Sequence, residues 1–149
     1  MIFDLKSPIS KINSDVKFKK VTIDLWNEVS DTFLSDAEYE FKNRFYLLPY
    51  LLRSSKWSFY IMYFNNKLIG IGGLFLNNEL SAFSTTYILK KYRTLSFHEK
   101  LINYRLEKSA NIGTLYCIAQ AYNNSISYKN LIKCHFKELY KSTYHTLIM

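Results

Sequence analysis

The stretch Ile88-Leu89-Lys90-Lys91-Tyr92-Arg93-Thr94-Leu95-Ser96-Phe97-His98-Glu99-Lys100-Leu101-Ile102-Asn103-Tyr104-Arg105-Leu106-Glu107-Lys108-Ser109-Ala110 reads as a strand end, a short basic turn and a helix. The strand side, from Ser84 to Leu89, is rich in β-branched and aromatic residues. On the helix side Ile102, Leu106 and Ala110 recur every fourth residue, and Phe97 and Leu101 widen the apolar face. Ser96 with Glu99 three residues on matches a capping box. Lys90, Lys91 and Arg93 stand just ahead of the helix start. Unpaired N–H groups and the helix dipole favour an anion there, and a pyrophosphate fits.

Outward from this stretch the chain alternates short elements. Val16 to Thr22 suits a strand, and Asp24 to Leu34 a helix with Leu25, Val29 and Phe33 on one face. Ala37 to Arg53 reads as a second helix through Phe41, Phe45, Leu48 and Leu52, kinked or ended near Leu48 by Pro49. These two helices suggest a mobile cover. Trp57 to Phe64, Lys67 to Leu76 and Glu79 to Leu89 form an antiparallel meander, turned at Asn65-Asn66 and Asn77-Asn78. Gly70, Gly72 and Gly73 weaken side-chain packing in its middle strand. Asn111-Ile112-Gly113 stops the central helix. Leu115 to Ala121 is a buried strand, parallel to the one before the helix. Asn123-Asn124-Ser125 caps a helix from Ser127 to Lys133, and Phe136 to Tyr140 with Tyr144 to Met149 read as a closing hairpin. Residues 1–15, with Pro8, read as a loosely attached lead-in. The whole is one α+β domain, residues 1–149, with the strand–turn–helix as its βαβ crossover.

The length of 149 residues is enough for one real core. At 48% hydrophobic and 21% charged the chain is globular rather than disordered. A formal net charge of +8 favours polyanions: nucleic acid, anionic lipid or a phosphorylated cofactor. Cys117 and Cys134 have no metal-ligand spacing, and with 3 histidines no zinc constellation forms, so no metal is expected. Two cysteines predict reduced thiols in a cytoplasmic protein. No apolar run reaches membrane-span length, and the N-terminus lacks a signal-peptide pattern.

In element order, from Val16 onward, the chain resembles the GNAT superfamily of acyl-CoA-dependent N-acyltransferases. Two motifs carry the resemblance. The family's strand-end signature, Arg-x-x-Gly-x-Gly/Ala opening a helix, is matched by Arg93-Thr94-Leu95-Ser96-Phe97-His98, with Ser96 and His98 at the two small-residue positions. The family's Asn-x-x-Ala/Ser followed by Lys-x-Gly-Phe is matched by Asn124, Ser127, Lys133 and Phe136, with His135 at the glycine. The resemblance implies a mixed, mostly antiparallel central sheet flanked by helices, with acetyl-CoA or another acyl-CoA as co-substrate. Backbone groups near Thr86 and Ile88 would bind the pantetheine arm. Backbone N–H groups of Arg93, Thr94, Leu95, Ser96, Phe97 and His98 would hold the pyrophosphate. Asn124 would contact the pantetheine or acyl region, with the amine acceptor opposite, under the helices from Asp24 to Arg53. The family's usual acid, a last-helix tyrosine, is Leu131 here.

Amide formation from a thioester needs an aligned neutral amine, a base and an acid for the leaving thiolate. Tyr128, one helical turn before Leu131, is the substitute acid; a packed or surface tyrosine is the plainer reading. Glu79, beside the Asn77-Asn78 turn, is the candidate base, and equally reads as a solvated turn residue. Arg93 has the most defined job, at the entry to an anion-binding helix. Cys117, in a buried strand, should be inert, while Cys134 adjoins the family's glycine position and so the site. The function expected is N-acyl transfer to a small-molecule or protein amine. Two readings stand beside it: a GNAT-like binding module without turnover, and a small basic nucleic-acid-binding protein. The last lacks any recognised motif. A homodimer through the edge of the closing hairpin completes the expectations.

Overall fold

Asn65 and Asn66 take positive φ values of 48° and 59°, as a two-residue type I′ turn requires. They join β3 (Trp57–Phe64) to β4 (Lys67–Leu76). A second turn, closed by the Asn77 N–H on the Leu80 carbonyl at 2.9 Å, leads to β5 (Leu80–Ile88). The structure is a computed structural model that describes residues 1–12, 15–93 and 96–145. β2 (Val16–Lys20) pairs antiparallel with β3, while β6 (Tyr116–Ile118) lies parallel to β5. β1 (Ile2–Asp4) pairs antiparallel with β6, so the six-stranded order is β1-β6-β5-β4-β3-β2.

Helices cover both faces. α1 (Ile23–Asp36) starts at Thr22, whose side chain accepts the Leu25 N–H, and α2 (Tyr39–Leu51) follows it. Trp26, Val29, Phe33, Phe45 and Leu48 pack with Phe59, Ile61, Ile71 and Tyr87 into one cluster. On the opposite face lie α3 (Phe97–Ile112) and α4 (Ile126–Lys133). Phe97 and Leu101 meet Met62, Ile69 and Ile88. Ile102 and Leu106 meet Phe3, Cys117, Leu131 and Phe136. The parallel β5–β6 pair with α3 between them is the expected crossover, in an otherwise antiparallel α+β sheet. Gly113, at φ 89°, ends α3 as its sequence predicts.

Four local expectations are corrected. Residues 2–4 are not a lead-in: β1 is held by the sheet and Phe3 is 2% exposed. The closing hairpin does not form among the described residues. Instead the Lys137 N–H and carbonyl exchange 2.8 Å bonds with Ile2, and residues 138–145 take no regular structure, while residues 146–149 lie outside the description. The homodimer reading loses the edge it rested on. α2 runs through Pro49 to Leu51: Pro49 forfeits one ladder bond, but the Leu52 N–H still reaches the Leu48 carbonyl at 2.9 Å and the last turn is kept. Ser96 makes no side-chain cap bond: its φ −71° and ψ 22° are not the extended geometry a cap needs, and Glu99 accepts from Lys133 Nζ at 3.2 Å instead.

α4 ends on His135, whose φ is 66°. The His135 N–H reaches the Ile132 carbonyl at 2.9 Å and the Phe136 N–H the Leu131 carbonyl at 3.0 Å. This left-handed stop is the position where the family pattern has glycine, and a side chain there is strained. His135→Gly is expected to raise the unfolding free energy by about 0.5–1 kcal/mol, the relief of strain being partly offset by a freer unfolded chain. Urea unfolding decides it: no gain would mean the left-handed turn is not strained.

Candidate active site

The site is built on the two edges of β5. Toward β4 its ladder runs from Leu76↔Ser81 to Gly70↔Ile88. The register shifts between Gly72 and Gly73, which face Thr86 and Ser84, so Thr85 is passed over as a bulge. Toward β6 the pairs are Leu80↔Tyr116, Ser81↔Cys117 and Ala82↔Ile118. Past Ala82 the strands part, and the edge from Phe83 to Ile88, with Thr86 and Ile88 in it, has no strand partner among the described residues.

That edge leads into a 3-10 turn, Lys90–Tyr92, and on to the α3 N-terminus. Lys90, Lys91, Arg93 and Ser96 are exposed, so the basic approach to the helix is kept. Arg93 turns back on the strand: its Nε donates to the Ile88 carbonyl at 2.9 Å, and its guanidinium lies 4.9 Å from the Tyr87 ring centre. Hence the Ile88 carbonyl assigned to pantetheine already has a donor. Phe97 is buried, so only its backbone is available to a ligand. Thr94 and Leu95 lie outside the described residues.

The α3 start is tied to α4. Asn130 Nδ2 donates to His98 Nδ1 at 3.0 Å, which needs a neutral ring. Burial, with the Arg105 charge behind it, pushes His98 down to about 4. Its imidazole is thus a neutral link between helices rather than a phosphate ligand. Asn124, at φ 60°, is exposed in the turn before α4, where Ser125 caps by accepting the Tyr128 N–H. The Tyr128 hydroxyl donates to Glu138 Oε2 at 3.0 Å, and this bond raises the phenol's pKa. Glu79 is exposed at the opposite end of β5, and its carbonyl accepts the Leu115 N–H. Seven residues of strand separate it from Thr86, roughly 23 Å. The structure therefore brings Thr86, Ile88, Arg93 and the α3 start together. His98 joins that start to the helix following Asn124, and Glu79 stands apart. Cys117 and Cys134 are both buried, and burial pushes their thiols up to about 11 and about 12.

Sequence reasoning missed three features here. The first is Asp36, whose Oδ2 accepts both the Tyr87 hydroxyl (2.9 Å) and the Lys90 N–H (3.0 Å), pinning the end of α1 to the basic turn. Burial and this carboxylate push Tyr87 up to about 12. The second is a charge partition: residues 24–40 hold six of the 12 carboxylates and no lysine or arginine. Asp24, Glu28, Asp31, Glu38 and Glu40 are all exposed. A running charge count along the chain finds it. The third is Arg105, 0% exposed beneath the bulge. Its Nη1 donates to the Gly73 carbonyl at 3.1 Å and the Ser84 carbonyl at 3.4 Å, and its Nε to the Leu101 carbonyl at 3.3 Å. The middle-strand glycines do not merely weaken packing: a Cβ on Gly72 would stand 3.0 Å from Arg105 Nε. The helical spacing carried this signal, since Arg105 lies four residues after Leu101 on the same stripe.

Among the described residues no helix is long and apolar enough to cross a membrane, and no group of three His, Cys, Asp or Glu could hold a metal ion.

His98 yields a pH test. Its folded value of about 4 lies below the ordinary 6.5, so the unfolded chain binds the proton first. Its contribution is whole above pH 6.5 and is lost as pH falls toward 4. The loss is roughly 2.5 kcal/mol by about pH 4.5. Urea unfolding of wild type and His98→Gln across this range should show the excess slope only in wild type. Equal slopes would refute the neutral link.

No family model matches the chain, and no curated protein matches it by sequence. Solved structures do. An aminoglycoside acetyltransferase from an uncultured soil metagenomic sample, in complex with sisomicin, superposes with TM-score 0.69 at 16% identity, covering 93% of this chain and 100% of that one. AAC(6')-Iy in complex with a bisubstrate analogue, CoA-S-monomethyl-acetylneamine, gives 0.67 at 12% identity, covering 91% and 100%. A ribosomal-protein-alanine N-acetyltransferase from Brucella melitensis biovar Abortus 2308 gives 0.69 at 11%, covering 89% and 99%. Likeness at such identities is one of architecture, and it extends over almost the whole chain: this protein shares the fold of these GNAT-type acetyltransferases.

Proposed function

We propose that the chain is an acyl-CoA-dependent N-acyltransferase, using acetyl-CoA in the simplest case, whose acceptor is a cationic amine. One observation carries the reading: β5 loses its β6 neighbour after Ala82, and the freed edge runs straight into Lys90, Lys91 and the α3 N-terminus. A pantetheine arm is an extended amide chain, so it can take the place of a strand along such an edge. Its pyrophosphate then falls among lysines and free helix N–H groups. The complex of a similar fold with a CoA-based bisubstrate analogue supports this donor.

The acceptor class rests on charge. α1 and the start of α2 carry carboxylates without a single basic residue, on a chain of net charge +8. Asp36 anchors the C-terminal end of this acidic surface to Tyr87 and the Lys90 backbone, next to the free edge. A multiply charged amine is drawn to such a surface, and the sisomicin complex of a similar fold supports the class. In the reaction the residues mainly align, because the thioester is already activated. Tyr128 is the proposed acid for the departing thiolate. Its bond to Glu138 favours the protonated phenol. Glu79, three residues before the point where β5 and β6 part, is the proposed base and acts through water. The binding-module reading keeps one observation in its favour: Leu131, at the family's tyrosine position, is 2% exposed and fills the core.

Millimolar acetyl-CoA is expected to raise the thermal midpoint by roughly 5–10 °C if it stands near a hundredfold above its Kd. Lys90→Glu with Lys91→Glu should remove most of the shift. Adding a polyamine should release free thiol from acetyl-CoA, and slowly with Tyr128→Phe. No shift with any acyl-CoA sinks the proposal; a shift without thiol release selects the binding module.

A further inference from the structure

Arg105 is the odd group of this fold. It is a cation with 0% exposure, and among the described residues no carboxylate pairs with it. Buried charges are normally paired. Its Nη2 is the buried side-chain nitrogen left without any partner among the described residues. Its place is equally specific. Nη1 holds the carbonyls of Gly73 and Ser84, the pair that flanks the bulge at Thr85. The guanidinium carbon lies 3.9 Å from the ring centre of Phe83, the first residue past the last β5–β6 pair. An unneutralised cation with a spare donor thus sits beneath the β4–β5 bulge, against the first residue past the β5–β6 pairing. Gly72 supplies the room, since a Cβ there would stand 3.0 Å from Nε.

We propose that Arg105 is the oxyanion donor of acyl transfer, its free Nη2 receiving the thioester oxygen. This rests on the acyl-CoA reading above. The amine lone pair forms the C–N bond as the carbonyl π pair moves onto oxygen. That pair then returns, the C–S bond breaks, and CoA leaves as thiolate, taking up the proton lost from the new ammonium through the acid or water. The attacking nitrogen gains positive charge while the new negative charge grows on oxygen, and a preorganised buried cation stabilises the latter strongly. Phe83 is half-buried over the guanidinium, so admission of the thioester requires its ring to turn aside. Burial leaves Arg105 at about 9, protonated at neutral pH.

The test pairs acetyl-CoA with S-ethyl-CoA, which lacks the carbonyl oxygen. Their affinities are measured by calorimetry on wild type, Arg105→Met and Arg105→Lys. Wild type is expected to bind acetyl-CoA about tenfold more tightly, the ordinary worth of pairing one buried donor. Arg105→Met should bind both alike, at the wild-type affinity for S-ethyl-CoA, and Arg105→Lys should recover part of the preference. A purely structural Arg105 would weaken both ligands together. Equal affinities in wild type overturn the proposal while leaving the acyl-CoA reading intact, and they decide it even if Arg105→Met fails to fold. Binding of neither ligand overturns the acyl-CoA reading and this proposal with it.

Discussion

β5 has a strand on each side for only two residues, Ser81 and Ala82. Everything distinctive about this molecule depends on that asymmetry. A central strand that loses one neighbour exposes a row of N–H and C=O groups that must find other partners. Here the protein meets part of the demand itself. Arg93 takes the Ile88 carbonyl, and Arg105 and the Thr86 hydroxyl take the Ser84 carbonyl. The remaining edge has no strand partner among the described residues.

The layers divide the labour by charge. The basic turn lies past one end of β5 and leads to α3 on one face of the sheet, while the carboxylate-bearing α1 and α2 cover the opposite face. A net charge alone hides this, because +8 is the sum of a strongly acidic segment and a more strongly basic remainder. Asp36 is the seam between them: one carboxylate oxygen accepts from a strand tyrosine and from the backbone of the basic turn. The acidic cover is therefore registered against the basic turn, and the two oppositely charged surfaces are held in one frame.

β1 changes how the sheet ends. It lies between β6 and the Phe136–Lys137 segment, and its Phe3 joins Leu131 and Phe136 in the core under α3. The segment after α4 supplies a single bridge rather than a strand pair. The last helix is fastened chiefly by its packing and by the His98–Asn130 and Glu99–Lys133 links, so the turn carrying Asn124 is referenced to the α3 start.

Local chemistry was legible in the chain. The asparagine turn at 65–66, the Gly113 stop, the apolar stripe of α3 and the basic approach to it are all short-range patterns. Backbone sterics and 3.6-residue spacing suffice to read them. One family-like motif position agrees with the backbone: His135, at the family's glycine, is left-handed. What only the tertiary structure decided is partnership across distance. That β1 enters the sheet, that Glu79 lies far from Thr86, that Asp36 reaches Lys90, and that Arg105 is swallowed under Gly72 all depend on strand order and layer packing. Nothing local encodes these partners: helical spacing sets Arg105 on the apolar stripe of α3, and only the space left by a glycine on a neighbouring strand settles where its charge goes.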